Sequence, residues 1–164
     1  MITVVVDDLA ALRVDAVVRP AGESLEPAGA VASRLDHAAG EGFTDQRQVS
    51  SPLEAGAAVV TGGANLVAPF VIHVVIRDST APAARAKIRR ALVSAWQQAG
   101  AWGLKRIATA PLGVDGGGLS LEDAVTLLVE TFPREGADDP GELCIVVERE
   151  EERAVVEAIL RRTA

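Results

Sequence analysis

Cysteine occurs once in these 164 residues, at Cys144. That alone excludes an intramolecular disulfide and a cysteine-built zinc site. Its flanks, "ELCIVVE", make it a small hydrophobe of a core strand rather than a nucleophile. Histidine occurs twice, too sparsely for a histidine metal site. His37 sits in a helical pattern beside Asp36, and His73 lies mid-strand in "VIHVV", the setting of a hydrogen-bonded core histidine. Lysine is confined to Lys87 and Lys105, and the formal net charge is −7. A nucleic-acid grip needs a basic surface, so that partner is not expected. The one basic cluster (Arg85, Lys87, Arg89, Arg90) reads as the solvated face of a helix. No apolar run approaches the roughly 20 residues of a membrane span. The opening "MITVVVDD" lacks the basic region of a signal peptide, which points to a cytoplasmic protein without a membrane partner. Standard catalytic and phosphate motifs are missing too. No Gly-Lys-Ser/Thr completes a P-loop, no Gly-x-Gly-x-x-Gly is present, and Ser24, Ser33 and Ser79 lack a nucleophile-elbow context.

What is present is an alternation of strands and helices. Dense apolar runs at 2–6, 15–19, 58–61, 70–76, 106–110 and 143–147 suit strands covered on both faces. Helical patterns fill 28–40, 81–103, 120–132 and the C-terminal "EEERAVVEAILRR". In the second of these, Pro82 suits a first turn, and Ile88, Leu92, Ala99 and Trp102 form an apolar stripe. Ser120 with Asp123 three residues on makes a weak capping box. Trp96 and Trp102 are expected in the core. The acidic-to-basic order of the last helix complements its dipole. The pattern predicts one α/β domain over 1–164, a three-layer α/β/α sandwich with a central mixed sheet of about six strands. The segment 133–142, "PREGADDPGE", reads as its most mobile loop.

Ligands of such folds sit beyond the carboxyl ends of the strands. Three segments fall there: "RPAG" (19–22), "PAGAV" (27–31) and "PLGVDGGGLS" (111–120). The last carries Gly113, Gly116, Gly117 and Gly118, and glycines at a strand-to-helix turn bring backbone N–H groups close to a phosphate. Asp115 in the middle of that loop is a group a phosphate should repel.

The order of these segments resembles the macro domain, the ADP-ribose-binding α/β/α module of the Appr-1″-p processing-like family, over essentially the whole chain. "VVVDDLAALRVDAVVRPAG" is similar to that family's opening strand and its Asp-Ala-Ile-Val-Asn-Ala-Ala-Asn segment. "LEPAGAVASRLDHAAG" resembles its glycine-rich helix start, "AGAAVVTGGANLVAPFVIHVV" its Thr-x-x-x-Asn-Leu-Pro-x-x-x-Val-Ile-His segment, and "IATAPLGVDGGGLSLEDAV" its second glycine loop. The resemblance implies that Asp8, with Leu9, receives adenine. It implies a first diphosphate loop at Gly29, Ala30 and Val31, and a second at Gly113, Val114, Asp115, Gly116 and Gly117. Arg19, Ala21 and Gly22 fall where the distal ribose is held.

The departures from the family bear on catalysis. Members that hydrolyse ADP-ribose linkages usually carry two asparagines where Arg19 and Gly22 stand, and a glycine side chain orients nothing. The resemblance therefore implies a binding module for ADP-ribose, a related adenine nucleotide or an ADP-ribosylated protein, with no catalytic residue, metal or cofactor. Two alternatives stand beside it: an ADP-ribosyl or O-acyl-ADP-ribose hydrolase with an unusual residue set, and a scaffold that has lost the ligand. Asp8 itself has another role open to it, as the cap of a turn after the first strand. Arg19 is expected either to pair with Asp115 or to reach a phosphate over it.

Overall fold

The computed structural model describes residues 1–163 apart from Ala81, Gly116, Gly117, Glu135 and Ala137. Six strands, β1 (Ile2–Val6), β2 (Ala16–Ala21), β3 (Ala58–Gly62), β4 (Phe70–Val75), β5 (Arg106–Thr109) and β6 (Glu142–Val147), form one sheet in the order β1-β6-β5-β2-β4-β3. Only β3 runs antiparallel, against β4, so the sheet is mixed as expected. All six residues of β2 are buried, which accounts for a near-continuous apolar run where an exposed strand would alternate.

Among the described residues five α-helices flank the sheet: α1 (Ala30–Ala39), α2 (Gly42–Gln46), α3 (Arg85–Ala101), α4 (Leu121–Thr131) and α5 (Glu150–Thr163). One face carries α3, α4 and α5. In α3 the buried set Ile88, Ala91, Leu92, Ala95, Trp96 and Ala99 follows helical spacing and meets Val18, Ile72, Val74 and Ile107 of the sheet. On the other face Leu35 and Ala39 of α1 and Phe43 of α2 pack on Val17, Val71, Ala108 and Val146. Alternate residues of one strand therefore serve opposite layers, Val17 one and Val18 the other. Among the described residues no helix is long and apolar enough to cross a membrane.

Some boundaries differ from expectation. Helix α3 starts at Arg85 with Ala84 as its N-cap, so Pro82 precedes the first turn. Trp96 is buried, donates from Nε1 to Thr131 Oγ1 at 3.0 Å and meets Phe132 edge-on. Trp102, expected in the core, is instead 54% exposed at the C-cap of α3, with its ring tilted against Phe70 at 5.7 Å. Cys144 lies in β6 as expected but is only half-buried, and burial raises its thiol pKa. Arg85, Arg89 and Arg90 are exposed on α3, with Arg89 paired to Glu130 at 3.0 Å. Part of the 133–142 segment falls outside the described residues, and Glu142 belongs to β6.

Candidate functional site

Parallel strands β1, β5 and β6 end side by side, and their exits define a cleft. After β1 the chain turns sharply. Asp7 accepts the N–H of Asp8 at 2.7 Å, and Asp8 Oδ1 accepts the N–H of Ala10 at 3.0 Å, capping a single 3₁₀ turn over Leu9–Ala11. Asp8 is thus a turn cap, and it also lines the cleft. After β5 come Ala110 and Pro111; after β6 comes Glu148. Across from them stands the first turn of α1, with Ala30, Val31 and Arg34. Together these groups enclose a cavity of about 270 Å³, just under the range usual for drug-sized ligands, about 300–1,000 Å³. Its floor is apolar (Leu9, Val31, Leu35, Val146), and its rim carries Asp7, Asp8, Asp115, Glu148 and Glu152 against the single cation Arg34. Arg34 is itself ion-paired with Glu148.

The expected site residues divide. Asp8, Leu9, Ala30, Val31, Val114 and Asp115 line this cavity; Arg19, Ala21, Gly22, Gly29 and Gly113 do not. Gly116 and Gly117 lie outside the described residues. Gly113 has φ +90° and sits where a Cβ would approach Ile88 Cδ1 to 2.7 Å and Leu119 Cδ1 to 2.8 Å. It shapes the loop: its carbonyl accepts the N–H of Leu119 at 2.9 Å. Ser120 caps α4 as expected, accepting the N–H of Asp123 at 3.1 Å. Beside Gly22, the Glu26 carboxylate fills the space that a side chain at residue 22 would enter.

Arg19 corrects an expectation. It does not pair with Asp115. Its side chain is fully buried beneath α1, where Nε and Nη2 donate to the two carboxylate oxygens of Asp36 at 2.7 and 2.9 Å. Nη1 donates to the carbonyl of Leu25 at 2.8 Å and meets His73 Nδ1 at 3.2 Å. Arg47 lends a second cation to Asp36, at 3.7 Å. Period-2 geometry explains the direction: Arg19 shares the face of Val17, and His73, its register partner on β4, shares that of Val71. Arginine can only donate, so His73 accepts at Nδ1 and donates from Nε2 to Thr61 Oγ1, 2.8 Å away. Thr61 in turn donates to the carbonyl of Gly62. Burial first, then Arg19 and Arg47, lower the His73 pKa from 6.5 to about 3. His73 is therefore the hydrogen-bonded core histidine that its mid-strand position suggested.

Asp115 has another partner. Its Oδ2 accepts from the backbone N–H groups of Ala30 and, at 3.4 Å, Val31. The N-cap of α1 is Gly29, which has no side chain to cap the helix, so a carboxylate from the opposite loop does so. No sequence signal marks that contact beyond the anomaly of an acidic residue in a glycine loop.

Comparison with known proteins agrees with this geometry. The family model for the Macro domain matches residues 18–128, and the chain belongs to that family. An uncharacterised protein of Mycobacterium tuberculosis is 29% identical over 140 residues, 85% of this chain but 38% of its own length. The chain thus spans under two fifths of that relative. One from Aeropyrum pernix is 29% identical over 144 residues, covering 82% of this chain and 75% of its own. Among solved structures, the Oceanobacillus iheyensis macrodomain with MES bound superposes with TM-score 0.83 at 22% identity, over 97% of this chain and 89% of that one. The Trypanosoma brucei macrodomain in complex with ADP gives 0.84 at 20% identity, over 97% and 68%. A mutant of the Oceanobacillus protein with ADPR gives 0.80 at 20% identity, over 97% and 91%.

Proposed function

We propose that this chain is a binding module for ADP-ribose or a related adenine nucleotide and holds its ligand without turning it over. The observation that carries the reading is Asp8 at the lip of an apolar slot. Its Oδ1 is spent on the turn, while Oδ2 makes no hydrogen bond among the described residues. An acceptor at the edge of a slot floored by Leu9, Val31, Leu35 and Val146 suits a flat heterocycle with an exocyclic amino group. Neighbouring folds solved with ADP and ADPR support the same ligand class. Gly22 supports a reading without turnover: no side chain at that position orients a second ribose, and Glu26 takes up the space. An ADP-ribosylated protein as carrier of the ligand and residence in the cytoplasm belong to the same proposal, as does a single domain over 1–164.

Calorimetric titration with adenine and guanine nucleotides tests it. Asp8→Ala should weaken adenine binding by about 1–3 kcal/mol, the range for a hydrogen bond to a charged group. Guanine should bind the parent protein less well, because it presents an acceptor at the same ring position. Equal affinity for both, unaffected by the substitution, removes Asp8 from the site. Release of ADP-ribose from a modified protein by the pure chain would install the hydrolase in place of the binder.

A further inference from the structure

The first turn of a helix offers unpaired N–H groups and a positive potential, a seat for an anion. In α1 the chain supplies that anion itself. The Asp115 carboxylate receives the N–H groups of Ala30 and Val31, a pair of charge-assisted bonds. The opposite wall is shaped to admit it. A Cβ on Gly29 would lie 2.6 Å from Asp115 Oδ2 and 3.0 Å from the Asp115 backbone oxygen. The contact thus depends on a glycine at the start of one loop and an aspartate in another. Asp115 lines the cavity, whereas Ala21, Gly22 and Gly29 do not. What remains is a compartment with five carboxylates at its rim and one arginine already held by Glu148.

We infer that Asp115 is an intramolecular occupant of the anion seat on α1, a strap that closes the phosphate end of the cleft. With the strap in place the protein takes adenine nucleosides in preference to their phosphorylated forms. A diphosphate enters only when the Asp115 carboxylate leaves the N–H groups of Ala30 and Val31. This rests on the adenine reading of Asp8, and the test separates the two.

The parent protein and Asp115→Ala are compared by titration with adenosine and with ADP-ribose, and by amide hydrogen exchange at Ala30 and Val31. The parent should bind adenosine at least as tightly as ADP-ribose. The substitution should strengthen ADP-ribose binding about tenfold or more while leaving adenosine within about twofold. Exchange at the two amides should quicken by about tenfold when their acceptor is removed. Asp115→Asn, which keeps the shape and an acceptor oxygen, should fall between the two in both measurements. A parent that prefers ADP-ribose by about tenfold, with no gain on substitution, overturns the strap. So does unchanged exchange at Ala30 and Val31. If neither ligand binds either protein, the adenine reading fails, and the exchange rates alone judge whether Asp115 holds α1.

Discussion

Replacing Arg19 with Met is the perturbation that most sharply separates a structural role from a ligand role. Methionine keeps much of the volume and removes every donor. Asp36 would keep only Arg47, at 3.7 Å, and His73 Nδ1 would lose its donor, while the Leu25 carbonyl would retain the Arg47 bond at 2.9 Å. Removing one member of a buried ion pair costs about 3–5 kcal/mol. Because the Asp36 side chain is 17% exposed, water recovers some of that, and about 3 kcal/mol is expected. For a chain of this size the melting temperature should fall by about 6–12 °C. Urea unfolding followed by tryptophan fluorescence measures the first quantity and calorimetry the second. An NMR titration should show the His73 pKa rising from about 3 while staying below 6.5, since burial, its largest cause, remains. Adenine-ligand affinity of the folded fraction should not change. A loss under about 1 kcal/mol, the range of surface pairs, would refute the energetic argument. A folded variant that no longer binds would show that Arg19 reaches the ligand after all.

Two further outcomes follow from the same geometry. His73 resists protonation down to about pH 3 when folded but accepts a proton near pH 6.5 when unfolded, so its contribution is intact above pH 6.5 and lost as pH falls toward 3, by up to about 4–5 kcal/mol; His73→Gln should flatten that part of the stability–pH curve, and an unchanged slope would assign it to other groups. Gly113→Ala should destabilise the chain by about 1–3 kcal/mol, because the new methyl meets Ile88 and Leu119 at a backbone φ of +90°; unfolding at parental denaturant concentrations would show that the loop relaxes freely.

The strands were legible because parallel strands covered on both faces must be apolar almost throughout, and such runs stand out against the polar turns between them. Ser120 was legible for a local reason, since cap and capped amide lie three residues apart. The fate of Arg19 was not. A lone arginine beside a proline at a strand end looks like a site residue, and its side-chain partners Asp36 and His73 lie 17 and 54 residues away along the chain. Helix α2, five residues long, is too short to show a period, yet it delivers Phe43, which stacks on His73 at 5.6 Å and underlies both Arg19 and Arg47. The candidate site split along the same line. Positions beside their own strand exit, such as Asp8, could be placed from the sequence, whereas the Asp115 contact with α1 joins two loops 85 residues apart at Ala30 and exists only in three dimensions.

Strand β1 sits at the edge of the sheet with β6 as its sole strand neighbour, Ile2 facing Leu143 and Val6 facing Val147. Within this sheet β1 comes earliest in the chain and pairs with β6, the strand that comes latest. Pairings this distant in sequence form slowly, because a long loop must close before any contact rewards the closure. The β2–β4 pairing, with its much shorter separation, can assemble first and carry the buried arginine with it. Asp7 and Asp8, at the end of β1, therefore take their place in the cleft only once this most distant of the pairings has closed. A molecule lacking β6 would lose Leu143, Ile145 and Val147 from its core, and with Val146 and Val147 the wall against which a ligand could rest.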